Sequence, residues 1–442
     1  MRKRQRSLMM ASAMFLLSAP IVKAQKVQFT EYDMPNGLHV ILHQDKSAPV
    51  VAVSVMYHVG SKNEDTARTG FAHFFEHLLF EGSDNIKRGE FMKIVSANGG
   101  QNNANTTQDR TFYYEVFPSN QLELGLWLES ERMLHPVINE IGVRTQNEVV
   151  KEEKRQSFEN RPYGKLVESI FKDLFTNHAY HRSLIGSMEH LNAAKLDEFK
   201  AFFKKYYIPN NAVLTIAGDI NIEKTKTLIT SYFGAAQRGP DVIQPVVKEE
   251  PITKEIVDTA YDSNIQIPMI TTTYRTPGRS TRDSKVLQMI SSILSGGASS
   301  KLYKKMVDDK KEALEVAAFN YALEDYGAYI VYSLPNNNTP LTTLLNDIDE
   351  EVAKLQTDLI SESDYQKIQN QAENNYVSAN TRMLGVAENL SNGYTFYNKN
   401  TNHINEELNE IKSITREEIR EVAKKYLNKN QRVVLYYLPA TK

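Results

Sequence analysis

The segment Phe71-Ala72-His73-Phe74-Phe75-Glu76-His77-Leu78-Leu79-Phe80 carries two histidines four residues apart, with a glutamate just before the second. On a helix, residues at that spacing lie about 40° apart around the axis and one turn up. Both imidazoles then project from one face and can reach a single Zn²⁺ at about 2.0–2.1 Å. Glu76 stands beside His77, placed to reach a water on that ion without coordinating it. A lone histidine on an apolar helix reads as a satisfied core residue. Three polar groups there each carry a desolvation cost unless they share a task. His-x-x-Glu-His is a metallopeptidase signature, so we take His73 and His77 as metal ligands and Glu76 as the catalytic group.

A catalytic zinc keeps three protein ligands and one open position. The acidic stretch Gln146-Asn147-Glu148-Val149-Val150-Lys151-Glu152-Glu153-Lys154 offers the third. Spacing within it leaves Glu148, Glu152 and Glu153 open. Helical periodicity turns Val149 and Val150 toward the packed side, with Glu153 one turn on.

The elements that must position these groups are legible as periods. Residues 37–42 and 50–57 read as strands rich in β-branched residues. Helices follow near 70–80 and 89–97, then a strand at 111–116. Helices fill most of 120–205, and a strand at 212–217 closes the unit. Gly239-Pro240, Pro245 and Pro251 then punctuate an extended linker. The second half repeats the mixture. Residues 196–219 and 416–439 are each an amphipathic helix, a turn and an apolar strand, with Lys204-Lys205-Tyr206 falling on Lys424-Lys425-Tyr426. Such a long-period match indicates duplication of a whole domain. We expect an α+β fold of two similar domains, each a mostly antiparallel sheet packed with helices. They span residues 25–238, which bear the zinc site, and 252–442, with a linker at 239–251.

Composition narrows the class. The chain has 442 residues, 41% apolar and 24% charged, and a net charge of −2 with no basic stripe, which argues against a nucleic-acid partner. Arg2, Lys3, Arg4 and Arg6 precede a short apolar run ending near Ala24, the pattern of an export signal over residues 1–24. That run is too short to span a bilayer, and no later segment is apolar enough. Its removal takes five of the 52 basic residues and no acidic one, leaving 47 against 54. A periplasmic or secreted protein is expected. With no cysteine, the chain has no disulfide and no thiol nucleophile, and packing alone must hold the core.

Around its central motif the sequence resembles the pitrilysin/insulinase family of inverted-motif zinc peptidases. In size it is closest to the mitochondrial processing peptidase group and its bacterial relatives. Supporting segments are Gly60-Ser61-Lys62-Asn63-Glu64, Leu79-Phe80-Glu81-Gly82-Ser83, Gly99-Gly100-Gln101-Asn102-Asn103-Ala104 and Pro209-Asn210-Asn211. The resemblance implies one zinc per chain, with Glu153 as the distal ligand. It implies a pair of α+β domains facing each other and a peptide or unfolded-polypeptide substrate. It also places Asn103 and Ala104 on a strand edge that binds substrate backbone, since an extended peptide can add to an open edge through main-chain bonds.

Two positions depart from the family. Where members often carry a Glu two turns before the distal ligand, this chain has Gln146, which can orient a ligand by hydrogen bonding but adds no charge. Members that complete the site in the second domain carry an Arg and a Tyr near a Gly-rich segment. Here Gly296-Gly297-Ala298-Ser299-Ser300-Lys301 puts Lys301 at the Arg position, and Leu314 stands at the Tyr position. Lys cannot replace a planar, bidentate Arg, and Leu donates no hydrogen bond. We therefore expect a related partner subunit that supplies the Arg/Tyr pair, or next a homodimer. The rival class is a non-catalytic binding or chaperone subunit on the same fold. A Ser or Thr hydrolase finds no nucleophile elbow here.

Overall fold

Apolar runs without alternation belong to strands covered on both faces. The computed structural model describes residues 26–440 and shows what covers them; the export signal read at residues 1–24 lies outside the described residues. The first half begins with β1 (Thr30–Asp33), β2 (His39–Gln44), β3 (Val50–Tyr57), α1 (Phe71–Leu78) and α2 (Phe91–Ala97). The hairpin β4 (Gln101–Thr106) and β5 (Thr111–Pro118) follows. Next come α3 (Leu122–Leu134), α4 (Glu140–Lys154), α5 (Leu166–Leu174), α6 (Met188–Ala193) and α7 (Leu196–Tyr206). β6 (Ala212–Gly218) and α8 (Ile222–Phe233) end the half, and residues 236–253 form no helix or strand.

The second half repeats this order. It runs β7 (Ile256–Asp262), β8 (Met269–Pro277), α9 (Arg282–Ser295), β9 (Ala313–Ala322) and β10 (Tyr326–Pro335). Five helices follow: α10 (Leu341–Thr357), α11 (Glu362–Ala379), α12 (Met383–Phe396), α13 (His403–Lys412) and α14 (Arg416–Tyr426), before β11 (Arg432–Pro439). The sheets are ordered β1-β2-β6-β3-β5-β4 and β7-β11-β8-β10-β9. Each is antiparallel except at one pair, β2 with β6 and β7 with β11. The fold is α+β, two similar domains of mixed sheet packed with helices. β1 and β4 went unread as strands by pattern because edge strands with one wet side need no apolar run: their sequences are TEYD and QNNANT.

Each half lends a helix to the other. On one face of the first sheet, Val40, Leu42, Val53, Val55 and Leu214 pack with the half's own helices. On the opposite face, Ile41, Ala52, Met56, Val213 and Ala217 pack against Val386, Ala387 and Leu390 of α12. The exchange is returned by α5, whose Ile170, Phe171 and Leu174 pack on Ile330, Val433 and Leu435 of the second sheet. Separating the halves would expose both shared cores to water.

A buried charge cluster adds a lock. Lys62, just ahead of α1, has a fully buried side chain whose Nζ lies 2.6 Å from Glu324, 3.1 Å from Asp325 and 3.3 Å from Asp109. Glu324 and Asp325 form the β9–β10 turn, so the second half grips the segment that leads into α1. His58 pairs with Glu324 at 2.7 Å and His178 with Asp325 at 3.1 Å. Despite burial, the hydrogen bonds to His58 and His178 and the charge of Lys62 hold both carboxyls below their ordinary range.

Candidate active site

Packing fixes α1 along its length. Phe74 and Phe75 are fully buried, and Phe71 stacks on Phe199 of α7 with centroids 4.5 Å apart. Tyr113 Oη donates to the carbonyl of Phe75 at 2.8 Å. At the N-terminus the Glu64 carboxylate accepts from Gly70 N and Ala72 N, both at 2.8 Å. An anion suits the positive end of a helix. Burial nevertheless pushes the Glu64 carboxyl up to about 8, against the pull of these two bonds. Beneath the helix, Arg132 is sealed between Glu115 and Glu129 at 3.0 and 3.2 Å and stacks on Phe80.

α4 is started by Asn139, whose side chain accepts from Gly142 N at 2.9 Å. Val143 and Val150 are its buried apolar residues, and Glu153 lies one turn beyond Val150. Val149, expected on the packed side, is instead exposed. Neighbours on a helix point about 100° apart, and the α1 contact is too narrow to hold both valines.

The two helices bring together His73, His77 and Glu153. Their donor atoms all lie within 4.8 Å of one another. Nε2 of His73 is 3.6 Å from Glu153 Oε1, and Nε2 of His77 is 3.0 Å from Oε2. Glu153 Oε2 and His73 Nδ1 are buried without a hydrogen-bond partner, so the 3.0 Å approach of His77 to Oε2 is not an aligned hydrogen bond. The two imidazoles, His73 foremost, hold the Glu153 carboxyl far below the ordinary range. Two imidazoles and a carboxylate aimed at one point, with orphaned polar atoms among them, fit a divalent ion of the zinc type.

The competing glutamates turn away. Glu148 pairs with Lys151 at 2.8 Å and Glu152 with Arg155 at 3.2 Å, both in solvent. Glu76 is partly buried, bonds none of the three ligands, and its charge acts on Arg110 of the β4–β5 turn. Gln146 donates to Glu81 Oε1 at 2.5 Å, and its own Oε1 is buried and unpartnered. Its hydrogen bond thus goes to Glu81, not to His73, His77 or Glu153. Asn103 and Ala104 lie on β4, an edge strand, where Asn103 Oδ1 accepts from Ala104 N at 2.9 Å. Lys301 lies outside this cluster and pairs with Asp364 at 2.7 Å; Leu314 sits exposed on edge strand β9.

The chain matches two family models in succession. Residues 39–188 match Insulinase (Peptidase family M16), and residues 193–372 match Peptidase M16 inactive domain. The chain belongs to the pitrilysin/insulinase family, M16. A zinc protease, PqqE of Helicobacter pylori, is 29% identical to this M16 chain over 348 residues, 78% of each. An uncharacterized zinc protease, YmxG of Bacillus subtilis, is 22% identical over 91% of this chain and 97% of its own length. A solved protease from Helicobacter pylori superposes with a TM-score of 0.88 at 27% identity, covering 93% of this chain and 99% of that one. The periplasmic protease PqqL from Escherichia coli superposes at 0.78 with 17% identity, covering 94% of this chain but only 48% of PqqL.

Glu64 is the residue whose task pattern reading missed. It ends the segment Gly60-Ser61-Lys62-Asn63-Glu64, yet helix-capping rules search the residue next to the helix. This carboxylate reaches the α1 terminus from six residues before Gly70. The signal available was an acidic residue upstream of an apolar helix that begins at a glycine.

Proposed function

We propose that this chain is an exported zinc-dependent endopeptidase acting on peptides or unfolded polypeptides, and that it works as part of a two-chain assembly. The observation that carries the reading is the convergence of His73, His77 and Glu153 within 4.8 Å, with Glu76 beside them on α1. His73, His77 and Glu153 would hold one zinc per chain. When bound, the ion supplies Lewis acidity, polarising the scissile carbonyl and making water easier to deprotonate.

The rest falls to the chain's own side chains. The Glu76 carboxylate accepts a proton from the attacking water and delivers it to the departing amide nitrogen. The β4 edge lays out the substrate: its backbone takes over the Ala104 N–H that Asn103 Oδ1 now occupies. Gln146 supports the site at one remove, through Glu81, which lies three residues beyond α1. Lys301 offers a cation to substrate, at the expense of its pair with Asp364.

Donors for the tetrahedral oxyanion are the missing part, because Lys301 and Leu314 stand where an Arg and a Tyr are needed. A related subunit with that pair would complete the site, and a second copy of this chain is the next choice. Two facts support an assembly. The halves share two cores, so a cleft cannot open between them cheaply, and this chain matches about half of PqqL. The test is zinc content and hydrolysis of an unfolded peptide by the wild type and E76Q, each with and without the candidate partner. Zinc retained and hydrolysis lost in E76Q supports the reading; equal hydrolysis by both proteins refutes it. A non-catalytic role on the same fold is the second reading. It draws on the inactive-domain match over residues 193–372, and a wild type that binds zinc yet cleaves nothing with any partner would favour it.

A further inference from the structure

The duplication leaves a second pocket. α9 follows β8 and precedes β9, as α1 follows β3 and precedes β4, and α11 packs against α9 as α4 packs against α1. Between α9, α11 and β9 lies a cavity of about 380 Å³. Gln288 and Ser292, one turn apart on α9, line it together with Asn375 on α11. Asn375 stands as far past its helix-capping residue, Ser361, as Glu153 stands past Asn139. The place of the metal centre is thus kept in the second half, with carboxamides and a hydroxyl instead of imidazoles and a carboxylate. Such groups do not hold a divalent transition metal.

The wall of this cavity also carries opposite charges. Lys285 is satisfied by Glu410. Arg279 and Glu407 both line the cavity, and neither side chain makes an ion pair or hydrogen bond among the described residues. The Arg279 guanidinium rests on the Phe396 ring at 4.7 Å, with its backbone carbonyl bonded by Tyr397 Oη at 3.4 Å. Burial raises the Glu407 carboxyl above its ordinary range, while Lys285 and Arg279 pull it back. The carboxamides of Gln288 and Asn375 likewise bond no protein group among the described residues. Half-buried charges without partners are costly, and a ligand of complementary charge relieves that cost. Free carboxamides each offer a donor and an acceptor, the pair a peptide unit requires.

We propose that this pocket binds a small zwitterion, an amino acid or short peptide, with its carboxylate on Arg279 and its ammonium on Glu407. Gln288 and Asn375 would read the backbone between the two ends. Peptide hydrolysis releases molecules of this kind, but the inference rests on the pocket alone.

Calorimetric titration of alanyl-phenylalanine and of phenylalanine into the full chain carrying E76Q tests it, because that protein should not consume the peptide. We expect saturable binding by at least one of them. N-acetylation or C-amidation should weaken it about tenfold or more, the loss expected for one charge-assisted bond. E407Q and R279M should each weaken it likewise, while removal of metal by a chelator should leave it unchanged. Should R279M disturb folding through Phe396, E407Q and the capped ligands still decide. Absence of saturable binding at millimolar ligand overturns the proposal. So does binding that is indifferent to E407Q and N-acetylation, or that is lost with the metal. Because binding is read directly, failure here is distinct from failure of the peptidase reading.

Discussion

Glu153 Oε1 stands 3.6 Å from His73 Nε2, although the whole β4–β5 hairpin and α3 separate the two residues along the chain. Glu153 Oε2 is buried without an aligned hydrogen-bond partner, and the two imidazoles hold the carboxyl far below its ordinary range. The arrangement is costly without a shared cation and economical with one.

Replacing Glu76 with Gln keeps size and polarity but removes the proton acceptor. Zinc content, measured by atomic absorption, should match the wild type. Turnover of an unfolded peptide should fall by about a hundred- to ten-thousandfold.

Ligand choice within α4 is tested by a pair of variants. E153Q should lower zinc affinity by more than the about 10–100-fold typical of changes outside the ligand set. E152Q disturbs only exposed contacts with Arg155 and Gln156 and should bind zinc as the wild type does. Competition with a chromogenic chelator reads both.

Glu64 should give stability an unusual pH slope. Its carboxyl titrates at about 8 in the folded chain against 4.5 ordinarily, so between those values the native state binds more protons than the unfolded one. That contribution is full below about 4.5 and is lost as pH rises through about 8. Melting temperature should therefore decline with pH across this window more steeply in the wild type than in E64Q. Equal slopes would show that Glu64 does not titrate there.

The exchanged helices should make the two halves one cooperative unit. Leu390→Ala on α12 should cost about 2–5 kcal/mol and Phe171→Ala on α5 about 3–5 kcal/mol, both from fully buried positions. Urea unfolding of either variant should remain a single transition. Two separated transitions would mean that the shared cores do not couple the halves.

Lys62→Met removes the ammonium that Asp109, Glu324 and Asp325 share. Stranding those carboxylates should cost about 3–5 kcal/mol, as breaking a buried pair does. Adding E324Q and D325N should restore part of that loss. No recovery in the triple variant would place the cost in packing.

What could be read from the chain alone was local direction. The i, i+4 spacing put His73 and His77 on one helical face with Glu76 beside them, because a helix converts spacing into angle without help from the rest of the fold. Runs rich in β-branched residues announced the strands at 37–42 and 50–57, and the repeated helix–turn–strand announced duplication. Meeting between elements was a different matter, since it depends on which faces pack. Spacing left Glu148, Glu152 and Glu153 open and only the resemblance favoured Glu153; the packing of α4 is what turns it inward and leaves Glu148, Glu152 and Val149 in solvent. Gln146 was likewise given to Glu81, and Glu64 carried to the end of α1. The polar edge strand β4 has no apolar period to betray it, and the exchange of α5 and α12 leaves no local mark at all. Both arise because burial is decided by whatever part of the chain arrives, however distant in sequence.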